Sequence, residues 1–507
     1  WRGGGDARGR AAPVGPRRSG GVRAMIAAVQ RPPGAKVGII AACAMAIFGA
    51  LVSPSPFSVA ACGACLAFII ALLWRDPPIL LLPAVFQWSE VAIIPISTIW
   101  RQVPVSQLSQ YRVNLEASTL YGLGGVAALS IGLRLGSGSS TEPLSARLNA
   151  DAAAWRFHEA AGFGLCAIAI GCALSALSGY AGPARELLRE AGNAHYAGLF
   201  ALAYWCLRRR SHYATLAAVT AFEVVVGMTG FFAEFKNALL TLIVAALSAR
   251  TRLRLSDMLI VGAAGALLIG LAIFWSAVKS DYRLFVNGGS GAQIVVRPIG
   301  ERIGYMGNAF FAMNARRFAD GFNRLVARHG YTEYLALTMA NVPEFRPHED
   351  GQLTLSVLDH VLTPRFLFPD KSPLPSDTAI MTNYTGLRDR WSDNTSISIG
   401  YLGELYVDFG AFGALLATGV IGALVGGVYR ALARRDDAHA LLTAGFCVMA
   451  TLPIAYFGLA YIKVMGAFVS SSAIALVLQR ICPRSLAPKQ AAQRPRQDRA
   501  ASASARG

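Results

Sequence analysis

Apolar runs long enough to be helices follow one another along nearly the whole chain, at about 37–53, 57–74, 78–100, 118–136, 160–180, 191–207, 213–232, 235–249, 257–277, 400–430, 438–458 and 460–480. A bilayer core about 30 Å thick is crossed by roughly 20 apolar helical residues, and a helix satisfies its own backbone where no water can. The expected fold is therefore all-α, a polytopic transmembrane helical bundle of about 12 spans. Composition agrees, since 54% of the 507 residues are hydrophobic and only 15% charged, with mean hydropathy +0.44. An ordinary water-soluble domain carries far more charge.

The net charge of +18 does not point to nucleic acid, because the basic residues gather in short clusters at the ends of apolar runs. Such clusters mark the cytoplasmic side of a membrane protein. With the N-terminus placed inside by Arg17, Arg18, Arg23, Arg31 and Lys36, the clusters at Arg75, Arg134 to Arg156, Arg208 to Arg210, Arg250 to Arg254 and Arg430 to Arg435 all fall inside as well. Both termini are then cytoplasmic, in a bacterial inner membrane if the resemblance drawn below holds. Residues 1–36 and 482–507 read as basic, disordered tails, with Met25 as an alternative start and no cleavable signal peptide. The eight cysteines lie in or beside apolar runs, and the lone Cys62/Cys65 pair has no partner pair or nearby His, so neither a disulfide framework nor a metal site is expected.

One stretch breaks the pattern. Between spans 1–9 (37–277) and spans 10–12 (399–481) lies a mostly polar insert, 278–398, which the same parity places outside, where long loops cross regardless of charge. Residues 309–330 have helical apolar spacing and read as an amphipathic helix suited to a membrane surface. Residues 362–377, with Pro364, Pro369, Pro373 and Pro375, must be extended or turning. No internal repeat is apparent. That weighs against a two-halved transporter.

Ionisable residues within or beside spans are costly and are functional candidates by default: Glu90, Glu223, Glu234, Lys236, Glu404, Asp408 and Lys463. Glu90 and Glu223 read as packing pairs. Lys236 opens an apolar run too short to span, so its helix N-terminus is recessed, and a cation beside free N–H groups is suited to phosphate; snorkelling or pairing with Glu234 is the plain alternative. Glu404 and Asp408 are four apart, share a helix face, and fit a base and its orienter, or else an ion pair with an insert arginine. Of the insert's cations, Arg365 and Lys371 are braced by prolines, with Arg297 and Arg302 in reserve; His360 is a competing base, and Arg328 serves as a control. No metalloprotease, P-loop, nucleophile-elbow or dinucleotide motif occurs.

The layout, together with TPRFLFPDKSPLPSD and SISIGYLGELYVDFGAFG, resembles the Wzy-type O-antigen polymerases, the lipid-linked repeat-unit polymerases of bacterial envelopes. That resemblance implies a membrane glycosyltransferase that needs no nucleotide sugar or other cofactor. It transfers a glycan from undecaprenyl pyrophosphate onto the next lipid-linked repeat unit, building O-antigen or exopolysaccharide. On it, Lys236, Arg365 and Lys371 would hold pyrophosphate, and Glu404 would be the base supported by Asp408. The expected partners are the lipid-linked glycan and the bilayer, with a chain-length regulator compatible and nucleic acid excluded. Alternatives are the related O-antigen ligases, a lipid-linked oligosaccharide flippase or other transporter, and a non-catalytic assembly component.

Overall fold

The computed structural model describes residues 33–138, 142–231, 234–250, 255–292, 294–364, 367–368, 370–371, 375–387, 397–435 and 439–481. Among these are nineteen α-helices and no strand. Eight helices are long and apolar enough to cross a membrane: α1 (Pro33–Val52), α2 (Pro56–Leu73), α3 (Leu81–Arg101), α4 (Leu115–Ser137), α6 (Phe157–Ser178), α11 (Leu255–Val286), α17 (Tyr401–Ala433) and α19 (Tyr461–Ile481). Two short helices, α5 (Glu142–Ala154) and α7 (Arg185–Gly192), lie between them.

The remaining four expected spans are present as helices but are short. They are α8 (Ala194–Arg209), α9 (Tyr213–Met228), α10 (Phe235–Ser248) and α18 (Ala440–Thr451), with 16, 16, 14 and 12 residues. At 1.5 Å per residue they reach only about 18–24 Å. Helices α8 and α18 are buried over almost their full length, so their apolarity answers to neighbouring protein. An apolar run of 10–14 residues suits a buried core helix as well as a piece of a span, and sequence pattern does not separate the two.

The tightest packing joins α4 to α17. A Cβ added at Gly132 would lie 2.0 Å from the carbonyl oxygen of Gly419, and one at Gly136 would lie 2.0 Å from that of Ala423. Reciprocally, Cβ atoms at Gly422 and Gly426 would meet Leu129 O at 2.3 Å and Leu133 O at 2.4 Å. Both helices thus carry glycines four apart on the facing side. In lipid, where apolar burial offers little, such close backbone approach is what holds helices together.

Helix α11 runs on to Val286, beyond the apolar limit at 277, and the segment between it and α17 folds into five helices: α12 (Ile299–Phe311), α13 (Ala315–His329), α14 (Thr332–Asn341), α15 (Gln352–Leu362) and α16 (Asp377–Thr385). The amphipathic helix expected over 309–330 is interrupted. Asn314 caps a new helix by accepting from Arg317 N at 3.0 Å or less (2.9 Å), and α12 ends at Phe311. These helices sit on the bundle: α13 packs on α11 and α3, α14 on α4 and α17, and α15 on α17 and α19.

Helix α17 is broken at Gly410, whose φ of 67° and ψ of −172° suit only glycine. Its first part, Tyr401 to Asp408, is buried. The break frees Val407 O, which accepts from Glu349 N at 3.0 Å and His348 Nδ1 at 3.2 Å, and just beyond the break Ala411 O also accepts from the Tyr121 hydroxyl at 2.7 Å.

Candidate functional site

Three distant parts of the chain meet at one end of the bundle. Glu90 lies midway along α3, yet its Oε2 accepts from Phe457 N at 2.6 Å and Gly458 N at 3.0 Å, in the loop between α18 and α19. That loop is pressed from the other side by Tyr331, since a Cβ at Gly458 would lie 2.5 Å from its ring. Tyr331 N in turn donates to Glu90 O at 3.3 Å. The residue before this tight region, His329, ends α13 and faces the same carboxylate, with Nδ1 4.0 Å from Glu90 Oε1.

The tautomer of His329 follows from its neighbour. Ser89 Oγ spends its one proton on Phe86 O at 2.7 Å and lies 2.9 Å from His329 Nε2. Ser89 therefore accepts, Nε2 carries the proton, and the Nδ1 lone pair points toward Glu90. Burial, with Lys236 nearby adding to it, pushes the imidazole down to about 4, so it is neutral at physiological pH.

Cations surround this pair. Lys236, at the N-terminus of α10, sits 4.1 Å from the ring centre of Tyr456 and 5.7 Å from that of Phe86. It feels Glu90, Glu234 and Arg328. Lys279 of α11 feels Arg328, Arg283 and Lys236, and Arg283 feels Arg328. Lys236, Lys279 and Arg283 are half-buried and Arg328 is exposed. Among the described residues no carboxylate is within ion-pair distance of Lys236, Lys279 or Arg328. Lys236 is the cation that acts on both His329 and Glu90, and it is coupled in turn to Arg328 and Lys279, so this end of the bundle favours an anion.

The other residues singled out from sequence are spread elsewhere. Glu404 accepts from Tyr461 N at 3.1 Å, holding the start of α19. Asp408 caps α15, accepting from Leu353 N at 3.0 Å, Thr354 N at 2.7 Å and the Thr354 hydroxyl at 2.5 Å. Both are fully buried. Lys371 donates to the last carbonyls of α15, His360 O and Thr363 O, and His360 lies on that helix. Arg302 donates to Thr229 O at 2.5 Å, at the end of α9. Arg297 is half-exposed, 3.6 Å from Glu301. Arg365 lies outside the described residues. Of the seven that are described, Lys236 alone belongs to the cation group.

Sequence reading passed over His329, took Glu90 for a packing residue and used Arg328 as a control. Lys279 was legible only as the first charge after a span. Glu223, the other carboxylate read as a packing residue, bonds His195 at 2.8 Å. A separate concavity of about 540 Å³, lined by Trp155, Arg156, Phe157, Trp205 and Arg209, lies at the opposite end of α10, where Arg208 reaches Ala249 O. It contains no histidine or carboxylate. Among the described residues no cluster of side chains has metal-binding composition.

Among the described residues, fold and site together define an all-helical protein with eight helices long and apolar enough to cross a membrane and a group of cations near Glu90 and His329. No family model matches the sequence, no curated protein matches it, and no solved structure matches the fold.

Proposed function

We propose that the chain is a membrane-embedded glycosyltransferase that polymerises repeat units carried on undecaprenyl pyrophosphate, at the outer face of a bacterial inner membrane. The observation that carries this reading is Lys236 acting on neutral His329 and on Glu90, with Arg328, Lys279 and Arg283 coupled to it or to one another nearby. A lipid pyrophosphate brings at least two negative charges and is a leaving group that needs cations more than it needs a proton. A hydroxyl placed beside His329 can donate its one proton to the Nδ1 lone pair at an ordinary hydrogen-bond length of about 2.8 Å, and Glu90 Oε1 lies 4.0 Å from that nitrogen.

The acceptor hydroxyl oxygen attacks the anomeric carbon of the donor glycan, and its proton passes to His329 Nδ1. The bond from that carbon to the phosphate oxygen breaks, and the electron pair leaves on pyrophosphate held by the four cations. Glu90 stabilises the imidazolium that forms, whose Nδ1–H then faces the carboxylate. Glu404 and Asp408, assigned to the chemistry on the resemblance, act instead by holding α19 and α15 in place.

The test is elongation of an undecaprenyl-pyrophosphate glycan by the purified protein in liposomes with no nucleotide sugar present. Longer lipid-linked products from wild type and none from His329→Ala are expected. Elongation that depends on nucleotide sugar, or transfer to a lipid A core instead of to a second repeat unit, would overturn the polymerase reading.

A further inference from the structure

Two helices of the segment between α11 and α17 share a three-sided surface. On α15, at 100° per residue, the arc carrying Leu353, Val357 and Val361 is covered by protein. The next arc, about 60° wide, carries Leu355, Leu358 and Leu362 at i, i+3 and i+7, all exposed, with Leu362 at 73%. The third arc carries Gln352, Ser356 and Asp359, exposed and polar. On α12 the covered side carries Tyr305, Met306 and Ala309, the adjoining arc carries the exposed Ile299, Ile303 and Phe310, and Glu301 and Asn308 lie on an exposed polar arc.

A helix lying on protein in water needs two sides, one apolar and buried and one polar. A third, apolar and uncovered, calls for a second apolar medium. The stripes adjoin surfaces that already face lipid. Helix α15 begins at Gly351, which lies against the Phe409 ring at the break in α17. Immediately beyond that break, α17 exposes Phe412, Leu416, Val420 and Leu424 at every fourth residue down its membrane-crossing part. Likewise Phe310 of α12 packs edge-on against Phe274 of α11, with ring centres 5.7 Å apart, and Phe311 beside it is 87% exposed.

The geometry points to α12 and α15 as interfacial helices whose apolar stripes are covered by acyl chains of the leaflet on that side. The polar arcs then face water and the buried arcs face the bundle. On this placement α12 and α15 are seated in the leaflet. The inference rests on the membrane-crossing character of α11 and α17 and is independent of the chemistry proposed above.

Photocrosslinking of the full chain in liposomes tests it. Benzoylphenylalanine is placed singly at Leu358, Leu362, Ile303 or Phe310, with Ser356 and Glu301 as polar-arc controls, and the phospholipid carries an alkyne on its acyl chain. All six positions are exposed, and only variants that elute as a single species are compared. Lipid adducts several-fold above both controls are expected at the stripe positions on both helices. Adducts no greater than at Ser356 and Glu301 would overturn the placement, as would crosslinks to a second copy of the chain in place of lipid.

Discussion

Replacing Glu90 by alanine leaves two loop N–H groups, on Phe457 and Gly458, without an acceptor where Glu90 is itself almost fully buried. Each orphaned buried donor costs about 1–3 kcal/mol, so the substitution should destabilise the protein by about 2–6 kcal/mol. Glutamine retains a side-chain oxygen in nearly the same place. It exchanges two charge-assisted bonds for neutral ones of roughly half the strength, so Glu90→Gln should cost about 1–2 kcal/mol. The measurement is reversible unfolding in mixed detergent and SDS micelles, followed by tryptophan fluorescence, for wild type and both variants. Alanine should unfold at clearly lower SDS than glutamine, whereas both should lose elongation, because neither keeps a carboxylate beside His329. Equal destabilisation by the two, or an alanine variant within about 1 kcal/mol of wild type, would refute the claim that this carboxylate holds the loop.

Lys279→Ala and Arg328→Ala should each weaken use of the pyrophosphate-linked donor by roughly 10–100-fold in kcat/KM, the value of one charge-assisted contact, while Arg297→Ala on the surface changes little. Glu404→Gln keeps an acceptor for Tyr461 N and should leave product length unchanged; loss of elongation at normal abundance would return Glu404 to the chemistry. His329 is lowered in the folded protein from 6.5 to about 4, so the unfolded chain binds more protons between those values. Stability should therefore fall as pH drops from about 6.5 to about 4, by at most roughly 3 kcal/mol, and level off below; His329→Gln should flatten that slope in the same unfolding assay. Gly132→Leu puts a side chain where α17 backbone already lies and should separate α4 from α17, lowering the yield of folded protein far more than Gly270→Leu, at a site open on all sides within 4 Å.

Helix positions were legible wherever local chemistry decides them. Every apolar run named from sequence contains a helix among the described residues, because backbone in an apolar medium has few other ways to satisfy itself. The shortness of the run that Lys236 opens was also legible, and the helix there has 14 residues. What each run does was less accessible. Helix α18 is as apolar as a span, and α8 carries an apolar run, but both are buried by other helices, and hydropathy measures only that an environment is dry. The four-residue spacing of Glu404 and Asp408 correctly placed them together on a helix, yet backbone N–H groups from α15 and α19 occupy both, and those helices are far away in sequence.

By itself, then, the sequence determined an all-helical, apolar chain with a polar insert and a lysine at the start of a short helix, because periodicity and hydropathy are local properties. Only the tertiary structure decided which charges meet. Ser89 and His329 are 240 positions apart, and Glu90 reaches the loop at Phe457 across 367. Such contacts depend on how helices pack, through glycine faces such as Gly132 and Gly422 and a break such as Gly410, and no spacing rule along one segment records where another segment will come to rest.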